Sequence, residues 1–279
     1  MLAIGLSLAA CLCWGVADYL GGLKSRHLPV LTVLMLSALF GLGLIISIVW
    51  VRGQALPHNP VLLFAVLAGA AGALALLLLY RAMAVGSMAI IAPISATGVV
   101  LPVLMGLATG DNPSHLQGFG MAAAILGSVL ASRETNNGGK EKRLAAGIGL
   151  AVGAAVCIGV FFIVMDRASD VDPYWASLIS RSSQCVLLLP AVLYKRTPLK
   201  IGGTHLPALI ALGFVDSLAN FAWAVATTLG MLSLVAVIGA LYPAVTVLLA
   251  ILLLRERPQI LQGIGVILAI AGVVLISAG

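Results

Sequence analysis

Asp216, Asn220 and Trp223 stand at i, i+4 and i+7 of an otherwise apolar run, so a carboxylate, an amide and an indole share one helical face. A second polar face comes from Tyr174, Ser177, Arg181 and Gln184, again at helical spacing. Arg181 and Asp216 fall at comparable depth on neighbouring helices and can pair, which lowers the cost of burying either charge. As a working site, the guanidinium would take a substrate carboxylate and the carboxylate an ammonium. As a structural one, the same residues form a polar clasp or a static ion pair. Asp18 follows Trp14 by one turn and adjoins Tyr19. Burial favours the neutral form of a carboxylic acid, which suits a proton carrier; the alternative is an interfacial residue near Lys24 and Arg26. Tyr242, with Ser95, Thr97 and Thr246, lies close to Pro93, Pro102 and Pro243, prolines that mark helix kinks lining a cavity.

These residues are informative because the rest of the chain is so apolar. Of 279 residues, 62% are hydrophobic and 9% charged, and the mean hydropathy is +1.17. A soluble domain carries roughly 25% charged residues, so lipid is the solvent here. An ionisable group at the centre of a span costs about 2.5–3.5 kcal/mol on insertion scales, and such groups face cavities or partners. The net charge of +6 resides between spans and does not imply nucleic acid. Cys11, Cys13, Cys157 and Cys185 lie in apolar runs with neither a disulfide framework nor metal-ligand spacing, and the four histidines fall near segment ends. Leu8-Ala9-Ala10-Cys11 looks like a lipoprotein cleavage box, but no Lys or Arg precedes it and the apolar run continues, so it reads as part of an ordinary first span. There is no nucleophile elbow, zinc spacing or phosphate loop. No enzyme activity, metal or cofactor is implied, and no nucleotide-binding domain is there to drive transport with ATP.

A duplication positions these residues. Pro113–Ser132 (PSHLQGFGMAAAILGSVLAS) is replayed by Pro258–Ser277 (PQILQGIGVILAIAGVVLIS) with eleven of twenty positions identical. Gly5–Pro29 pairs with Gly149–Pro173 at an offset of 144, as does Gly86 with Gly230, and one extra residue enters before Pro258. The partners of Asp216, Asn220 and Trp223 are Gly72, Leu76 and Leu79, and that of Arg181 is Ser37. The polar faces thus belong to one copy only, and such asymmetry suggests a substrate site on a symmetric scaffold.

Hydropathy and turn signals predict an all-α membrane protein of ten spans, at about 2–22, 30–51, 60–81, 86–109, 115–132, 145–167, 173–195, 205–227, 231–254 and 259–278. The first five-helix repeat covers 1–132, a polar linker 133–144 and the second repeat 145–279. Five spans per copy make the second enter from the opposite side, an inverted-topology repeat. Of the fifteen Lys and Arg, twelve fall in the odd-numbered loops, two (Arg52 and Arg167) in the even ones, and Arg181 in a span. The charge rule then places both termini outside a bacterial-type plasma (inner) membrane and the central linker in the cytoplasm.

Over its whole length the chain resembles the drug/metabolite transporter superfamily, in its ten-helix EamA-like branch. The resemblance rests on Trp14-Gly15, YRAMAVGSMAIIAPISATG (80–98), TLGMLSLVAVIGALYP (228–243) and LLLRERPQILQGIGVILAIAGVVLI (252–276), and on the acidic turns at Asp111 and Glu256, each just before a proline. The first turn has Asp-Asn where the family usually has Glu-Arg, and the N-terminus lacks the basic residues often found there. The resemblance implies a central cavity, alternating access, and export or exchange of small metabolites. The expectation is a proton-coupled or facilitative secondary transporter of an amino acid or similar amphipathic compound. Trp14, Arg181, Gln184, Asp216, Asn220, Trp223 and Tyr242 would hold the substrate, and Asp18 and Asp216 the proton. The rivals are a flippase for a lipid-linked head group and a non-transporting scaffold or receptor subunit. The expected partners are a small-molecule substrate, the lipid bilayer and, as the one protein partner, a second copy of the chain.

Overall fold

The structure, a computed structural model, describes residues 1–85, 91, 94–131, 141–199, 201–254 and 260–278. Among the described residues there is no strand. The helices are α1 (Leu2–Ser25), α2 (Val30–Arg52), α3 (Leu63–Val85), α4 (Val100–Thr109), α5 (His115–Ala131), α6 (Glu141–Ser169), α7 (Pro173–Tyr194), α8 (Leu206–Thr227), α9 (Leu232–Gly239), α10 (Tyr242–Leu254) and α11 (Ile260–Ala278). Six of them, α1 to α3 and α6 to α8, are long and apolar enough to cross a membrane among the described residues; Ile94–Thr109 and Leu232–Thr246 are shorter apolar pieces.

Local chemistry sets several of these ends. Pro29 precedes α2, and Gly53 closes it in the left-handed region at φ 65°. Asp172 caps α7, its Oδ1 accepting from the backbone N–H groups of Tyr174 and Trp175 at 2.9 and 3.1 Å, with Pro173 at the first helical position. Asp111 reaches from the turn after α4 to accept the Ser233 N–H at 2.8 Å, so an acid of the first repeat caps α9 of the second.

Two expected spans differ in detail. The ninth is two helices, α9 and α10, separated at Ala240 and Leu241, and Pro243 falls in the first turn of the second piece because it has no N–H to give to a helix that ran through it. In the fourth, a 3-10 turn at Thr97–Val99 precedes α4, and Pro102 sits at the third position of the α-helix. Pro93, the turn at 255–258 and most of the linker lie outside the described residues, while α6 begins at Glu141, inside the expected linker. Pro190 lies inside α7, a helix proline that the kink assignments passed over.

The duplication reappears as pairs of contacts. α1 packs on α8 as α6 packs on α3, and α2 packs on α8 as α7 packs on α3. α2 meets α7, and α5 meets α11, across the pseudo-two-fold itself. The ends of α2 and α7 are tied twice by equivalent acceptors: Trp175 Nε1 donates to Gln54 O at 3.3 Å, and at the opposite end Thr32 Oγ1 donates to Pro198 O at 2.9 Å. Gln54 and Pro198 are 144 residues apart.

The candidate transport cavity

Where α1, α2, α3, α6, α7, α8 and α10 converge, the helices leave a cavity whose empty space, open solvent included, is about 790 Å³. Four pairs of residues related by the offset of 144 line it: Trp14 with Ile158, Asp18 with Phe162, Gly72 with Asp216, and Leu76 with Asn220. The pseudo-two-fold therefore runs through the cavity. Its walls match in position and differ in chemistry.

α7 and α8 bring the charges. Arg181 Nη2 lies 2.6 Å from Asp216 Oδ2, both side chains being almost wholly buried (6% and 11% exposed). Arg181 Nη1 donates to Gln184 Oε1 at 2.7 Å. Asn220 Nδ2 donates to the Asp216 backbone O at 2.6 Å and to Asp216 Oδ1 at 3.2 Å. Each charge thus has an opposite charge and a side-chain amide as partners, which makes its burial tolerable. Clasp and cavity wall, alternatives in the sequence, describe the same four side chains.

These polar groups can approach the first repeat because small residues face them. A Cβ on Gly69 would meet Ser183 Cβ of α7 at 2.6 Å, and one on Gly213 would meet Gly41 N of α2 at 3.0 Å. Gly69 and Gly213 are also 144 residues apart. Toward the end where α1 finishes and α2 begins, an apolar cluster closes the bundle with Leu34, Leu79, Met83, Leu188 and Leu212. Toward the other end lies a second cluster with Phe162, Met165, Ala176 and Trp223. There Arg52 Nη1 contacts both carboxylate oxygens of Asp172 at 2.7 Å, and its guanidinium stacks 4.0 Å from the Tyr174 ring centre.

Asp18 is buried (5% exposed) on the cavity wall. Trp14 and Tyr242 line the same space with ring centres 6.3 Å apart, and Tyr242 Oη shares a 3.2 Å hydrogen bond with Ser95 Oγ. Trp223 is placed differently from its neighbours on α8. Fully buried, it stacks on Phe162 at 4.7 Å and lies 6.4 Å from Trp14, behind the wall rather than on it. Phe161, Phe162, Met165 and Ser180 line the cavity and were not singled out by the sequence. The offset would have found Phe162, as the partner of Asp18. The packing stripe of Ala68, Gly69 and Gly72 carries no such signal, being ordinary composition for a span.

Comparison with known proteins agrees with this architecture. No curated protein matches the chain. A solved structure, described only as the crystal structure of a protein, superposes over 96% of this chain and 95% of its own with a TM-score of 0.75 at 17% identity, a likeness of fold alone. The EamA-like transporter family model matches twice, over residues 1–133 and 145–278, once for each copy of the duplication. With two matched halves, a helical membrane bundle and a cavity on the axis between them, the chain belongs to the EamA-like transporter family, as an integral membrane protein that carries small molecules.

Proposed function

We propose that the chain is a secondary transporter that moves an amino acid or a similar amphipathic metabolite by alternating access, outward from the cytoplasm and coupled to protons. The supporting observation is the position of the Arg181–Asp216 pair on a cavity shared by both repeats. A static clasp has no need of open space beside it. Alternating access draws on the inverted repeat: equivalent ties at the two ends of α2 and α7 give the bundle two comparable ways to open. Proton coupling is assigned to Asp18, with Asp216 as the second carboxylate of the cavity. Export direction and the inner membrane follow the family and the loop charges, with both termini outside and the central linker cytoplasmic.

The test is uptake of labelled amino acids and amines into liposomes carrying the purified protein, with and without an imposed pH gradient. Wild-type protein is expected to give substrate-dependent flux that responds to the gradient, Asp18→Asn flux that no longer responds, and Asp216→Asn little flux. Flux unchanged in Asp216→Asn sinks the site assignment. Labelling of single cysteines placed at position 2 and in the linker, from either side of the membrane, decides the orientation.

A further inference from the structure

The cavity's charges do not balance. Three side chains that can carry a full charge line it: Asp18, Arg181 and Asp216. Arg181 and Asp216 neutralise each other at 2.6 Å, with Gln184 and Asn220 occupying further positions on each. Asp18 has no hydrogen bond or ion pair among the described residues, although it is 5% exposed. Asp216, Tyr80 and Tyr242 are the titratable groups in electrostatic range of it, from α8, α3 and α10, and Arg181 of α7 lines the same cavity. α2 and α9 present no charged side chain at that depth. With every carboxylate ionised the cavity carries one net negative charge, and a buried carboxylate without a counter-ion is costly.

The remaining walls suit a cation. Trp14, Phe161, Phe162 and Tyr242 present ring surfaces to the cavity, and aromatic faces attract an ammonium. The guanidinium that could welcome a substrate carboxylate is already engaged by Asp216 and Gln184. Resting on the transport reading above, we infer that the substrate is an amphipathic amine of net charge +1, its ammonium set against Asp18 and its apolar body against the aromatic wall. A proton on Asp18 and the amine then serve as alternative counter-ions.

Three ligands that share one skeleton and differ in charge test this: phenethylamine (+1), phenylalanine (zwitterion) and 3-phenylpropionate (−1). Their binding to the purified full-length protein is followed by calorimetry, with intrinsic tryptophan fluorescence, to which Trp14 on the cavity wall contributes, as a second readout. Phenethylamine is expected to bind at least about tenfold more tightly than phenylalanine, with phenylpropionate weakest. Asp18→Asn is expected to erase that order and Asp18→Glu to keep it. Tighter binding of phenylalanine or phenylpropionate, an unchanged order in Asp18→Asn, or no phenethylamine binding at about 1 mM each overturns the inference. If Asp18→Asn does not fold, the charge series on wild-type and Asp18→Glu protein decides alone. Liposome flux separates the two readings: amine binding without flux removes the transport reading and leaves the amine preference, and phenylalanine flux without amine binding does the reverse.

Discussion

Replacing Arg181 by Met removes the guanidinium beside Asp216 and leaves, among the described residues, a buried carboxylate held by the Asn220 amide at 3.2 Å. Because the two side chains are 6% and 11% exposed, the loss belongs in the buried class, about 3–5 kcal/mol. Gln184 Oε1 loses its donor in the same variant, which adds about 1 kcal/mol. Asp216→Leu should cost less, since the orphaned guanidinium still donates to Gln184, and Asn220 still donates to the backbone O of residue 216 at 2.6 Å. The double variant Arg181→Met/Asp216→Leu removes both charges and should lie within about 1–2 kcal/mol of wild type, because apolar groups of similar volume replace a buried pair at little cost. Equilibrium unfolding of the four proteins in detergent closes the cycle, with an expected coupling of at least about 2 kcal/mol. Two single variants that each cost under about 1 kcal/mol and add without coupling would mean a pair hydrated as at a surface. The buried-pair reasoning would then be wrong.

Three further outcomes follow from the geometry. Asp172→Ala should destabilise by about 1–2 kcal/mol in denaturant unfolding and Arg52→Ala by under about 1, because Asp172 caps α7 as well as pairing with a partly exposed Arg52. Gly272→Val should cost about 1–3 kcal/mol, since a Cβ there meets the Ala124 and Gly120 backbones, whereas Gly118→Ala, with nothing within 4 Å, should raise the melting temperature slightly. Trp14→Ala should weaken ligand binding by calorimetry, and Trp223→Phe should leave it unchanged, because Trp223 lies behind the wall and its buried Nε1 has no partner to lose.

Much of the fold could be read from the offset of 144, because a duplicated apolar helical chain has few ways to bury both copies. The contacts between copies, α1 on α8 mirrored by α6 on α3, carry that symmetry into space. Cavity-lining residues were legible where polarity interrupts an apolar helix, as at Arg181 and Asp216. Trp223 shows where such reasoning stops. Its azimuth on α8 matches that of Asp216, but two turns further along the helix the same face meets Phe162 instead of open space. Azimuth follows from spacing, whereas depth depends on the neighbouring helices. The break at Ala240 and Leu241 was foreshadowed by Pro243, and only its backbone consequence, two helices in place of a kinked one, needed the structure.

α5 and α11 descend from the same twenty residues and now pack on each other, with Gly120 against the Gly272 carbonyl and the buried Gly127 and Gly265 at the matching positions. The extensive contacts of the bundle likewise join one copy to the other, so neither copy encloses a core of its own. A single copy standing alone could make these contacts only with a second copy. The two halves have diverged in chemistry, and Arg181 and the Asp216 face stand in the second alone. Severed within the linker and expressed together, the two halves should still find each other and rebuild a cavity that neither contains.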